Sequence, residues 1–85
     1  MKLTQELKTK KKEYFTKAKQ ALLERYFELE FERRIQERWA IVDPTKVIYL
    51  NGVQVKIAEY ISSLKKDLGN LETRLELVED VLTED

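Results

Sequence analysis

The residues best suited to chemistry in this chain are carboxylates spaced one helical turn apart: Glu28/Glu32, Glu72/Glu76 and Glu76/Asp80. Paired carboxylates serve as acid and base in hydrolysis or hold a divalent cation. At i, i+4 spacing they equally make a solvated helix face, and no loop of alternating oxygen ligands accompanies them. Ser62 and Ser63 are the hydroxyls closest to a nucleophile, and no base lies in sequence reach. The chain contains no histidine and no cysteine. That removes the usual general base, the thiolate nucleophile and the commonest transition-metal ligands. Gly52 and Gly69 are isolated glycines and form no phosphate-cradling loop. The expectation is a protein that is not an enzyme, with no catalytic residue, no metal and no cofactor.

A second kind of chemistry is electrostatic. Residues 1–20 carry seven lysines against Glu6 and Glu13, a net of +5, and residues 67–85 carry seven carboxylates against Arg74, a net of −6. Lys8, Lys10, Lys11 and Lys12, close to Tyr14 and Phe15, are candidate phosphate contacts for a nucleic acid. They are spread around the helix instead of forming one stripe, and the acidic C-terminal segment is available to neutralise them. Nucleic-acid binding is therefore the lesser expectation, and a solvated basic helix the greater.

The third kind is burial of apolar surface. Leu3, Leu7, Tyr14, Ala18 and Leu22 mark a narrow stripe, after which the apolar positions widen nearly all round. A helix apolar on more than one side is buried on more than one side. Leu23, Tyr26, Phe27, Phe31, Ile35 and Trp39 are the candidate partner interface, with Trp39 expected to close the junction at the end of its helix. The competing reading packs Phe27, Phe31 and Ile35 beneath the connecting segment of the same chain.

These groups need elements to carry them. Residues 4–39 lack Gly and Pro and are rich in strong helix formers, which predicts one helix about 54 Å long with Thr4 as its cap. Asp43-Pro44 signals a turn. Val47-Ile48-Tyr49-Leu50 and Val53-Gln54-Val55-Lys56-Ile57 then flank Asn51-Gly52, the preferred two-residue turn of a β-hairpin. Pairing Leu50 with Val53 and Ile48 with Val55 puts Ile48, Leu50, Val53, Val55 and Ile57 on one face. A short helix capped by Asp43 with Pro44 at its first position competes with this reading; β-branched density favours the hairpin. From about residue 58 to 82 a second helix follows. Ile57, Ile61, Leu64, Leu68, Leu71, Leu75, Val78 and Leu82 repeat at alternating spacings of four and three, a coiled-coil seam that keeps phase across Gly69.

At 85 residues the chain forms one small domain, residues 1–85, whose own core is marginal. The expected fold class is mainly α: two long antiparallel helices, a helical hairpin or coiled coil, joined by a short β-hairpin and oligomeric. Antiparallel packing sets the +5 and −6 segments against each other, whereas a parallel homodimer along the seam would set acidic segments side by side. The stretch from Asp43 through Lys46-Val47, Asn51-Gly52 and Val55 into the second helix resembles the corresponding part of prefoldin subunits, which assemble through their hairpins and hold clients with helix tips. It covers under half the chain. The chain is shorter than those subunits and its aromatic-rich first helix departs from their polar arms, so the resemblance implies a shape and a chaperone-type alternative and assigns no residue.

The functional expectation is a protein–protein interaction or assembly subunit, structural, scaffold or adaptor in role, including a component of a viral particle or a stoichiometric inhibitor. Its partners are expected to be itself and another protein. No apolar run reaches the roughly 20 residues a membrane span needs, so no membrane partner and a soluble, intracellular location are expected.

Overall fold

The computed structural model describes residues 4–84; Lys2, Leu3 and Asp85, which enter the sequence reading, lie outside that range. Helix α1 spans Gln5–Val42. Thr4 caps it as expected: its hydroxyl oxygen accepts a hydrogen bond from the Leu7 N–H at 3.3 Å, and Glu6 sits in the first turn, where the helix dipole favours an anion. The helix runs three residues past the expected end at Trp39. The β-branched pair Ile41-Val42 does not stop it; Asp43 does, because the proline that follows disfavours helical backbone there. The Asp43 N–H still donates to the Trp39 carbonyl at 2.8 Å, and its carboxylate accepts from the Thr45 N–H at 3.2 Å and the Thr45 hydroxyl at 2.9 Å, closing the turn.

Strands β1 (Val47–Leu50) and β2 (Val53–Lys56) pair antiparallel with Ile48 opposite Val55 and Leu50 opposite Val53, the expected register. Asn51 at φ 52° and Gly52 at φ 80° both take left-handed backbone, which a type I′ turn requires at its two central positions. The short-helix alternative is excluded by this turn. β2 passes without a linker into α2 (Ile57–Thr83), and the Ile57 N–H donates to the Lys46 carbonyl at 2.9 Å, tying the start of the helix to the base of the hairpin.

Along α2 the four-three row turns toward α1. Ile57, Leu64, Leu68, Leu71 and Val78 are buried, and Ile61, Leu75 and Leu82 are half-buried. Ile57 is the most enclosed, at 1 % exposure, because helix and hairpin meet over it. Gly69 is helical and does not break the row. The answering row on α1 is Phe15, Ala18, Leu22, Tyr26, Leu29, Arg33, Gln36 and Ala40. Phe15, not Tyr14, supplies the inward aromatic ring; Tyr14 and Leu7 are exposed. Leu29, Leu64, Leu68 and Leu71 form the core cluster, with Leu22, Tyr26 and Tyr60 packed against it. Each leucine so buried contributes about 1.5–3 kcal/mol.

Cross-helix bonds fix the orientation. Lys11 meets Glu84 at 3.4 Å, Lys19 meets Glu79 at 2.6 Å, Tyr26 meets Glu72 at 3.0 Å and Lys65 meets Glu37 at 3.6 Å, so one helix index falls as the other rises. The helices are antiparallel, and the basic start of α1 lies beside the acidic end of α2. The molecule is a rod of 57 × 23 × 17 Å.

Candidate interaction surface

The six aromatic and aliphatic residues singled out on α1 divide between two faces. Tyr26 turns inward, packing on the core while its hydroxyl donates to the Glu72 carboxylate. It takes part in the contact within the chain. Leu23 and Ile35 are half-buried. Phe27 and Phe31 point outward with 60 % and 68 % of their surfaces exposed, and the connecting segment does not cover them. Two phenylalanine rings one turn apart on a helix whose other face is already occupied form an apolar patch with no partner among the described residues. Trp39, expected to close the junction at the end of its helix, is 48 % exposed there. Lys46 places its ammonium 3.9 Å from the ring centroid, in cation–π range, and the outer part of the indole stays exposed.

A second apolar area surrounds the hairpin. The base of its apolar face, Ile48 and Val55, is half-buried, while the tip residues Leu50 and Val53 are exposed because the helices do not reach that far. Tyr49 on the opposite face, and Ile41 and Val42 in the last turn of α1, are also exposed. Sequence reasoning missed Ile41 and Val42. The available signal was two β-branched residues placed just before a helix stop, outside the inward row of the helix.

Three of the four candidate phosphate contacts line one cleft, and the fourth, Lys10, lies apart from it. Lys10 pairs with Glu6 at 3.2 Å and Lys11 with Glu84 at 3.4 Å. Lys8, Lys11 and Lys12 line an open cleft of about 570 Å³ between the helix ends, together with Gln5, Thr9, Val81, Leu82, Thr83 and Glu84. The acidic member of that lining lowers the positive potential a phosphate would meet.

Of the carboxylates first considered for chemistry, Glu28, Glu32 and Glu72 hold side-chain partners, and Glu76 and Asp80 are exposed on α2. Glu28 accepts from Arg25 at 3.4 Å. One oxygen of Glu32 accepts from the Tyr60 hydroxyl at 3.3 Å and from the Gln36 amide at 2.9 Å, leaving the Gln36 amide oxygen buried without a hydrogen-bond partner among the described residues. One guanidinium nitrogen of Arg33, Nη1, donates to both carboxylate oxygens of Glu37, at 3.1 and 3.0 Å. The Tyr26 phenol is pushed above its usual range, chiefly because it donates to the Glu72 carboxylate. Burial, then the Glu32 charge, raises that of Tyr60. Both groups stay protonated at neutral pH and act as hydrogen-bond donors. Ser62 and Ser63 are exposed on α2.

No protein-family model, curated protein or solved structure matches this chain. Its geometry alone bears on what it does. Among the described residues no three or more of His, Cys, Asp and Glu are grouped to hold a metal ion, and no helix is long and apolar enough to cross a membrane. What the arrangement offers is a rod with one longitudinal seam filled by its own chain and apolar side chains left outward at the middle of α1 and around the hairpin.

Proposed function

We propose that this protein is a non-enzymatic interaction subunit: an antiparallel coiled-coil hairpin that presents apolar surface to other protein chains and assembles with them. The observation that carries this reading is the outward placement of large apolar side chains on a scaffold whose own core is already closed. Phe27, Phe31, Trp39, Ile41, Val42, Tyr49 and Val53 all stand in solvent. Leaving so much apolar surface in water on a rod this thin is unfavourable unless association covers it. The seam acts as the scaffold and the charged helix ends set its orientation. The absence of histidine and cysteine from the sequence supports a role without catalysis.

The test is solution mass as a function of concentration, by sedimentation velocity or light scattering, followed by the same measurement on a variant with Phe27, Phe31, Tyr49 and Val53 replaced by serine. Association in the parent that the variant loses supports the reading. A parent that stays monomeric at every concentration and retains no protein in a pull-down from its source refutes it.

A further inference from the structure

The outer face of α1 carries a charge pattern around its phenylalanines that matches itself in reverse. At about 100° per residue, Glu24, Phe27, Phe31, Arg34 and Arg38 fall within an arc of about 80°, centred about 180° from the buried Leu29. The acidic residue precedes the rings and the two arginines follow them. We infer that this face is the contact between two copies of the chain, packed antiparallel about a two-fold axis midway between Phe27 and Phe31; the inference rests on the interaction role proposed above.

Such an axis sets Phe27 level with the second copy's Phe31, and Phe31 level with its Phe27, so four rings surround the axis. Glu24 then lies level with the second copy's Arg34 and about 6 Å along the helix from its Arg38. The two-fold repeats both relations, giving a closed, isologous interface. A parallel pairing would set Glu24 beside Glu24 and Arg34 beside Arg34, so the charges select the antiparallel one. The charged groups nearest this face are already arranged to permit it. Glu24 accepts from the Gln20 amide at 3.3 Å and keeps acceptor capacity. Arg34 uses one nitrogen on Glu30 at 3.0 Å and keeps the rest of its fork. Glu28, on the shoulder of the face, is held by Arg25.

The area sets the strength. With Phe27 and Phe31 exposed at 60 % and 68 %, and a phenylalanine surface of about 200 Å², covering both rings in both copies removes about 500 Å² from water. Stable interfaces bury about 1,200 Å² or more, and the remainder must come from Leu23, Ile35 and the stems of Glu24, Arg34 and Arg38. The pair is accordingly a weak dimer that forms in the micromolar range or above.

The experiment is sedimentation equilibrium of the full chain from about 1 to about 500 μM with two complementary charge reversals, Glu24→Arg and the double variant Arg34→Glu/Arg38→Glu. Each alone places like charges across the contact and raises the dimer dissociation constant at least about tenfold. An equimolar mixture restores opposite charges at both relations and recovers the dimer. The same mixture with Phe27→Ala and Phe31→Ala in both chains separates, which distinguishes this contact from attraction by net charge alone; circular dichroism confirms that each variant keeps its helices. A parent dimer that neither the charge reversals nor the alanine pair weakens overturns this interface while leaving the interaction role standing. A mixture that fails to recover the dimer overturns the antiparallel pairing. A parent that is monomeric throughout and captures no protein overturns both readings.

Discussion

Replacing Gly69 with alanine is expected to stabilise the protein. Gly69 sits in the interior of α2 at an outward position of the four-three row, with helical backbone and no demand for a left-handed conformation. A Cβ built there meets nothing within 4 Å, so the added methyl introduces no clash and buries no new surface. What remains is the difference in backbone freedom of the unfolded chain, about 0.8–1.0 kcal/mol in favour of alanine in a helix interior. Unfolding entropy of about 2.1 cal/mol/K per residue gives about 0.18 kcal/mol/K for 85 residues, so the gain raises Tm by about 5 °C. Helix ellipticity followed against temperature and against urea measures both quantities, at a concentration low enough to keep the chain monomeric. An unchanged or lowered midpoint would refute the argument, since it would mean that something approaches the outer face of α2 closely enough to need a bare backbone. A gain in the dilute sample that reverses in a concentrated one would place that approach between molecules.

Gly52→Ala acts in the opposite direction: at φ 80° an L side chain is strained, and a loss of about 1–2 kcal/mol in a urea titration is expected, with a loss under about 0.3 kcal/mol contradicting the turn assignment. Leu68→Ala removes a buried core side chain and costs about 2–5 kcal/mol, whereas Leu77→Ala, on the exposed side of the same helix, changes stability by no more than about 0.5 kcal/mol; equal effects would mean that the helix is rotated from the face described. The raised phenols of Tyr26 and Tyr60 give the fold a dependence on alkaline pH. Because the folded state holds these protons to a higher pH than the unfolded chain, their contribution is complete below about pH 10 and is lost as pH climbs through the raised values. A Tyr26→Phe/Tyr60→Phe variant should lose less of its urea midpoint than the parent between pH 9 and pH 11.5; parallel pH curves would show that the two hydroxyl–carboxylate bonds do not couple to folding.

The elements that position the surface were legible because their signals are local. Asn51-Gly52 between β-branched runs specifies the turn and, through it, the strand register; Thr4 marks the first helix cap; the row from Ile57 to Leu82 marks the buried side of α2. The orientation of the helices was legible from charge, since Lys11–Glu84 and Lys19–Glu79 are the contacts that the uneven charge distribution requires. The faces of α1 were harder to read. In the region from Leu22 to Ile35 apolar residues occur on nearly every side, and periodicity alone does not say which are covered. Tyr26 faces inward because a phenol beside Leu29 finds the Glu72 carboxylate on the facing helix, a partner 46 positions away in the chain. Phe15 replaces Tyr14 in the inward row for the same kind of reason: their neighbouring positions differ by about 100° around the helix, and the facing leucines decide between them. The exposure of Leu50 and Val53 depends on how far the hairpin extends past the helices, a property of tertiary geometry with no counterpart in the pattern of types.

The antiparallel pairing has a kinetic consequence. The Asn51-Gly52 turn sits near the middle of the nested pairs, which span 28 positions at Tyr60–Glu32 and 73 at Lys11–Glu84. Once the hairpin has closed, each further turn of helix docks beside one already in place, so only a small new loop must be closed at each step. The two helices can therefore zip from the hairpin outward and open from the free ends inward. Partial opening separates Lys11 from Glu84 and uncovers Val81 and Leu82 while Ile57 and its neighbours stay shut, which makes the first turns of α1 and the last turns of α2 the region where amide hydrogen exchange runs fastest and the hairpin base the region where it runs slowest.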